Sequence, residues 1–328
     1  MTDNRITISV CTIVKNEGNV LKRCLDSLAG IYDELILVDT GSTDNTREIA
    51  KKYTDKIYDF TWTGSFSDAR NFAFSKATGD YIYSADADEI IDEENRQKFL
   101  YLKQALLPEI EIVEMHYTGQ LTYNTTYNYN DELRPKLYKR LREFTWIDPV
   151  HEAVRLDPVV YESDIKIIHA PTGNHSKRDF GAYLNAIEKD GQLSDHLKDM
   201  YARELFISGD REDFKKAEPY FKEMSENETD EDRLVKVLLV LIRNSRLEAN
   251  APEFIKYSSR LFALISDNKP TLEIPSELCF EMGEYFLNNG DKEEAKMWYI
   301  NASEETESVL ALNCHDTLPK ERLSCLNL

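Results

Sequence analysis

The sequence predicts an α/β domain with a mostly parallel mixed sheet, followed by an all-α region. Three observations carry this. Short β-branched and apolar runs (Ile6–Val14, Leu35–Asp39, Tyr81–Ala85) alternate with stretches of helical period. These runs end in, or lead into, acids and turn residues, as parallel strands do at a ligand-binding edge. From Asp179 onward the strand-like runs stop and apolar residues recur at helical spacing. The domains therefore read as 1–178 and 179–328.

Taken in order, Ile6 to Val14 is a central parallel strand, and Lys15-Asn-Glu-Gly18 turns the chain. Val20, Cys24, Leu25 and Leu28 form a helical stripe that Gly30 stops. Leu35 to Asp39 is a second strand, followed by the turn Thr40-Gly-Ser-Thr-Asp44. Asn45 with Glu48 resembles a capping box for a helix reaching Tyr53. Lys56 to Phe60 is a third strand. Ser67 caps a helix running through Ala77, and Gly79 precedes the Tyr81 strand. This βαβαβαβ order predicts parallel strands with helices on both faces.

Composition excludes several function classes. A net charge of −20 argues against nucleic acid or an anionic membrane as the main partner. Five cysteines without a CxxC pair fit a reduced cytoplasm better than a disulfide framework. The run Val237–Ile242 is too short for a transmembrane segment, and Met1–Arg5 leads into a strand rather than a signal peptide.

The chemistry gathers at Tyr81-Ile-Tyr-Ser-Ala-Asp-Ala-Asp-Glu89. Asp86 and Asp88 share a side of an extended chain, and two hard carboxylates suit a divalent cation carrying a phosphate-bearing ligand. Asp39 ends a neighbouring strand, where it can accept from a uracil imide or a ribose hydroxyl, or cap its own turn. Arg70 sits near a predicted helix start, a place the macrodipole disfavours, so it answers an anionic ligand, or else lies on a solvated face or pairs with Asp68.

With these residues in view, the chain resembles family 2 glycosyltransferases of the GT-A fold. The resemblance rests on Thr12-Ile-Val-Lys-Asn-Glu17, Val38-Asp-Thr-Gly-Ser-Thr-Asp44, Phe66-Ser-Asp-Ala-Arg-Asn71, and Ala77-Thr-Gly-Asp80 with Asp86-Ala-Asp-Glu89. The branch includes lipopolysaccharide-core glucosyltransferases and sublancin-type peptide S-glycosyltransferases. It implies an inverting transfer from a nucleotide-diphosphate sugar, with a divalent cation, Mn2+ or Mg2+, at the leaving diphosphate; the expected donor is a UDP-sugar, because Asp39 can accept from the uracil imide. By the same resemblance Thr12, Val14, Glu17, Asp39 and Ser42 lie at the nucleotide. Arg70 lies near the diphosphate, Asp86 at ribose and metal, and Asp88 on the metal.

Arg134-Pro-Lys-Leu-Tyr-Lys-Arg140 and Trp146-Ile-Asp-Pro-Val-His-Glu152 resemble later elements of that branch, with Lys136-Leu137-Tyr138 replacing Arg-Leu-Phe. An inverting transfer needs one base at the acceptor. Glu152 is the candidate and His151 its competitor; both are also consistent with a loop that only shapes the acceptor site. His169, ending the strand-like Ile165–Ile168, is a candidate metal ligand, with His175 as rival. Tyr117, Tyr123, Tyr127 and Tyr129 suit a glycan or peptide acceptor, or else pair across a hairpin.

In the C-terminal region Cys279, Met282, Gly283, Phe286, Gly290, Ala295, Tyr299 and Ala302 fit one tetratricopeptide repeat, and Tyr201–Met224 fits a second loosely. About three helix pairs are expected. They would serve a protein partner, a homodimer, or the cover of the catalytic domain. Two other classes compete with the enzyme assignment: an inactive scaffold of the same fold, and a sugar nucleotidyltransferase. The intact Asp39, Arg70, Asp86 and Asp88 speak against the first. Lys15-Asn-Glu-Gly18 is a poor match for the Gly-rich loop of the second.

Overall fold

The computed structural model describes residues 6–119, 131–141, 146–151, 153–154, 158–170, 176–267 and 273–326. The chain divides into two compact units, Met1–Lys189 and Asp190–Leu328. Tyr123, Tyr127, Tyr129, Glu152 and His175 lie outside the described residues.

The first unit begins with β1 (Ile8–Val14), α1 (Leu21–Ser27), β2 (Glu34–Asp39), α2 (Thr46–Ala50), β3 (Ile57–Asp59), α3 (Phe66–Phe74) and β4 (Tyr81–Ala85). It continues with β5 (Glu89–Ile90), α4 (Glu93–Ala105), β6 (Ile112–Thr118), β7 (Asp131–Lys139), β8 (Trp146–Ile147), β9 (Ala153–Val154), β10 (Val160–His169) and α5 (Ser176–Asp190). Eight strands form one sheet in the order β3-β2-β1-β4-β7-β6-β10-β5, and β8 pairs with β9. The first four strands are mutually parallel. β7 then runs antiparallel between β4 and β6, and β10 lies parallel to β6. One antiparallel strand thus separates two parallel sets that point the same way, so β1, β2, β4, β6 and β10 all end at one edge.

Alternation along the strands fills two cores. One face of the sheet packs on Leu21, Cys24 and Leu25 of α1 and on Phe99 and Leu102 of α4. The other sets Cys11, Ile36, Val38 and Ile82 against Ala73 of α3. The strands of a sheet covered on both faces are continuously apolar, and β1 and β4 are such strands.

The helix boundaries differ from expectation in two places. Ser65, not Ser67, caps α3, accepting from the Asp68 N–H at 3.2 Å, and the helix ends at Phe74. Only Ser65 has the extended backbone that lets a hydroxyl reach back to the first turn. Asn45 makes no side-chain cap on α2; Asp44 accepts from the Thr46 N–H instead, at 3.0 Å, and the helix stops at Ala50.

The second unit is helical. Three successive pairs are joined by short turns: α6 (Asp195–Ser208) with α7 (Arg211–Asn227), α8 (Glu231–Leu247) with α9 (Ala251–Asp267), and α10 (Ser276–Asn288) with α11 (Lys292–Ile300). Gly283 of α10 lets the last pair close, since a Cβ there would come 2.6 Å from the Tyr299 ring. A π-turn and two short helices, α12 (Asn313–Asp316) and α13 (Leu318–Leu326), complete the unit. Buried Glu277 ties down the approach to α12 by accepting from the N–H groups of Leu310 and Ala311. No described helix is long and apolar enough to cross a membrane.

Candidate functional site

Two loops meet first, where β1 and β2 end. The Asn16 N–H donates to Ser42 Oγ at 3.0 Å, and the Thr43 N–H donates back to Asn16 Oδ1 at 2.7 Å. Glu17 N–H reaches Thr46 Oγ1, and Gly18 N–H reaches Asp44 Oδ2. The loops approach so closely that a Cβ on Gly18 would overlap Asn45 Oδ1 at 1.9 Å. Asn16 accepts a left-handed backbone, φ 58°, to make the stitch.

Asp39 sits beneath this wall. Its Oδ1 accepts from the Gly41 and Ser42 N–H groups, and Arg47 donates to Oδ2 at 3.1 Å. A carboxylate offers about four acceptor sites, so one remains open. The side chain is only 1% exposed, however, and Arg47, which also pairs with Asp59, covers it. Thr12 and Val14 are buried in β1, and the Thr12 hydroxyl donates to the Ala85 carbonyl at 2.7 Å.

The second group lies where β4, β7 and β10 converge. Arg70 donates to Ser84 Oγ at 2.7 Å and to Asp86 Oδ1 at 2.8 Å, with Trp146 against its guanidinium at 5.2 Å. It is held from α3, not paired with Asp68, which accepts from Thr63. Lys136, from β7, reaches Glu89 Oε1 at 2.6 Å and stands 3.8 Å from Asp86 Oδ2. Burial alone would push the Asp86 carboxyl up, but the Arg70 and Lys136 cations outweigh it and hold it well below the usual range. Glu89 goes the other way: burial, with Asp86 beside it, outweighs Lys136 and pushes it up to about 7.

Asp88 takes a different partner. Its Oδ2 lies 3.1 Å from His169 Nε2, and its carbonyl accepts from the Ala170 N–H at 3.0 Å. The β5–β10 ladder sets Glu89 opposite His169 and so brings the two together. Tyr117 packs on the imidazole at 5.2 Å, while Nδ1 is buried without a hydrogen-bond partner among the described residues.

Donors about 2.1 Å from an octahedral ion and on adjacent positions stand about 3 Å apart. The Asp88–His169 spacing fits that edge. Among the described residues no group of three His, Cys, Asp or Glu side chains could hold a metal alone. A two-donor site is nonetheless ordinary for a cation that arrives with substrate phosphates, which fill the remaining positions.

The β8–β9 loop is pinned to α3. Asn71 bonds both the N–H and the carbonyl of Trp146, and the Phe66 N–H donates to the Pro149 carbonyl. Asp148 and His151 both have left-handed backbones, φ 67° and 47°. Each is a strained state that clusters at functional sites. The His151 ring lies 5.8 Å from that of Tyr183 in α5.

The structure thus brings Arg70, Asp86, Asp88 and His169 to one place, and Glu17, Asp39 and Ser42 to another on the same edge. Sequence inspection missed Lys136 and Arg47 as members of the site. Their partners lie on other elements, and only the replacement of Arg by Lys136 in the Arg-Leu-Phe element marked the first.

The Asp88–His169 pair stands at the carboxyl edge of the doubly covered sheet, the edge at which open α/β sheets bind ligands. Residues 9–155, which hold most of it, match the family model described as Glycosyl transferase family 2. The glycosyltransferase SunS from the SPbeta prophage of Bacillus subtilis is 28% identical over 230 residues, 58% of this chain and 52% of its own. An uncharacterized glycosyltransferase of Rickettsia conorii is 33% identical over 119 residues, 34% of this chain and 42% of its own. A TPR repeat-containing protein of Synechococcus elongatus is 48% identical over 82 residues, 25% of this chain and 20% of its own. The chain spans about half or less of these relatives' lengths.

Among solved structures, Mycobacterium tuberculosis glucosyl-3-phosphoglycerate synthase with Mn2+, UDP and glucosyl-3-phosphoglycerate aligns at 15% identity and TM-score 0.40, over 58% of this chain and 82% of that one. S. aureus TarS 1-349 with UDP aligns at 13% and 0.40, over 82% and 94%.

Proposed function

We propose that the protein is a metal-dependent inverting glycosyltransferase that moves a sugar from a UDP-sugar to a glycan, lipid-linked glycan or peptide acceptor. The observation that carries the proposal is the meeting of Asp88 with His169 at one end of a domain of this family.

Asp88 and His169 would hold Mn2+ or Mg2+, which when bound neutralises charge on the departing nucleoside diphosphate. Arg70 and the β4 end fix Asp86 on the ribose and sugar side of the donor. The stitched β1 and β2 loops supply the nucleoside wall, with Asp39 offering its last acceptor site to the uracil imide. That contact requires Arg47 to swing away, which Asp59 permits by keeping hold of the guanidinium. Inversion requires a base on the far face of the sugar, with no covalent intermediate, and Glu152, which follows His151 in the sequence, takes the acceptor proton.

A thermal-shift screen of UDP, GDP, dTDP and their sugars, each with and without Mn2+, tests this reading. A ligand bound only by the folded state raises the melting temperature by mass action. UDP with Mn2+ should give the largest rise. A rise with GDP or dTDP but not UDP would contradict the donor assignment. No rise with any nucleotide would favour the inactive scaffold.

A further inference from the structure

We propose that Lys136 is a positioning residue that keeps Asp86 off the metal, so that the cation is held by Asp88 and His169 alone. The inference rests on the metal-dependent reading above and deepens it.

Three carboxylates lie within four residues at the end of β4: Asp86, Asp88 and Glu89. Left to themselves, Asp86 and Asp88 share a side and would chelate a divalent cation jointly. The structure divides them instead. Asp86 stands between two cations, Arg70 at 2.8 Å and Lys136 at 3.8 Å. Asp88 has no Lys or Arg within ion-pair distance among the described residues; its neighbour is His169 at 3.1 Å. The division is therefore made by cations contributed from α3, which packs on a face of the sheet, and from β7, which pairs with β4.

Lys136 is the unusual member. It is 5% exposed, and its ion partner Glu89 is 2% exposed. Lysine is almost never buried so deeply unless paired. A buried ion pair adds little to stability compared with apolar side chains of similar size, so folding alone does not call for one here. Its placement answers a different need. Glu89 anchors the ammonium from one side at 2.6 Å, and the Tyr83 and Tyr117 rings flank it at 5.8 and 5.7 Å. So held, the charge faces Asp86 Oδ2, the oxygen that Arg70 leaves free.

A cation held by only two protein donors binds weakly without nucleotide and leaves with the diphosphate product. Freeing Asp86 would add a carboxylate ligand and remove a positive charge. Removing Lys136 should therefore tighten metal binding and slow turnover. A merely structural lysine would do the opposite or nothing, since a loosened site binds metal less well.

The experiment is Mn2+ titration of the full chain, followed by electron paramagnetic resonance, for wild type, Lys136→Met, Lys136→Arg and Lys136→Met/Asp86→Asn. Lys136→Met should bind free Mn2+ about tenfold more tightly, because affinity follows the number of charged ligands. Lys136→Arg should match wild type, and the double variant should lose the gain. kcat of Lys136→Met should fall more than kcat/KM, with release of the product slowed. Should Lys136→Met not fold, Lys136→Gln is read in the same way. Unchanged or weaker Mn2+ binding in folded Lys136→Met or Lys136→Gln, or a gain that persists without Asp86, would overturn the proposal while leaving the transferase reading standing. Wild type that binds neither Mn2+ nor UDP would instead overturn both.

Discussion

The Asp88 carboxylate and the His169 imidazole, 81 residues apart in sequence, meet at 3.1 Å where two strands of the sheet end. The pairing is set by the β5–β10 ladder, so it belongs to the fold and does not depend on a mobile side chain finding its place. If this pair holds the cation, Asp88→Ala and His169→Ala should each weaken metal-dependent UDP binding. Losing one ligand to a charged group costs about 1.5–3 kcal/mol, which is about 10–150-fold in affinity. Asp86→Ala should weaken donor binding less steeply. Calorimetric titration of UDP in saturating Mn2+ checks this, and an unchanged affinity in Asp88→Ala would remove that residue from the site.

The proposed nucleoside wall depends on the close approach of two loops at Gly18. An added Cβ there would displace Asn45 and Asp44, the latter an acceptor for the Gly18 N–H itself. Gly18→Ala should therefore cost on the order of 1–3 kcal/mol, the usual penalty for overpacking. It should also lower UDP affinity while leaving free Mn2+ binding alone. Thermal melts and the two titrations separate these effects.

Glu34 supplies a test of the sheet in the acid range. Its partly buried carboxylate, at the start of β2, accepts from Ser9, Lys56 and both the N–H and hydroxyl of Thr78. Burial opposes its ionisation, but these partners prevail and bring its carboxyl down to about 2. A depressed folded value means stability that is present above the unfolded carboxyl range and lost as pH falls toward about 2. Glu34→Gln should thus melt below wild type at neutral pH, by on the order of 1–3 kcal/mol. The gap should narrow as pH falls below about 5 and close toward about 2. A gap independent of pH would mean that the charge of Glu34 contributes nothing.

The proposed base yields a kinetic prediction. Glu152→Gln keeps size and hydrogen bonding but removes basicity, so kcat should fall about 10²–10⁴-fold with donor binding nearly intact. A thiol acceptor would blunt the loss, because a thiol is partly ionised near neutral pH. Near-normal transfer to a hydroxyl acceptor would rule Glu152 out, and His151 would be tested next.

Much of the parallel half of the sheet was legible because strands buried on both faces are continuously apolar, and because their terminal acids stand out against that background. This contrast singled out Asp86 and Asp88 as candidates; Arg70 stood out by its place near a helix start, which the macrodipole disfavours, and His169 by its place after a strand-like run. The antiparallel passage of β7 was not legible, since its residues alternate charged and apolar for reasons of partner contact that appear only once β4 and β6 flank it. Lys136 was hidden for the same reason: a lysine in a polar strand reads as solvated until Glu89, 47 positions away, is seen beneath it. Arg47 likewise reads as a surface helix residue, and its grip on Asp39 depends on how α2 returns over the strand end. The Ser65 cap was mistaken for Ser67 because composition allows either, and only backbone angles choose between them.

The central claim is tested most directly by UDP release from a panel of UDP-sugars, with Mn2+ or with chelator, by wild type and Asp88→Ala. The account predicts release by wild type that requires the cation, is limited to one or a few sugars, and is lost in Asp88→Ala. Absence of release from every UDP-sugar with either Mn2+ or Mg2+, or release that proceeds equally in chelator, would contradict it.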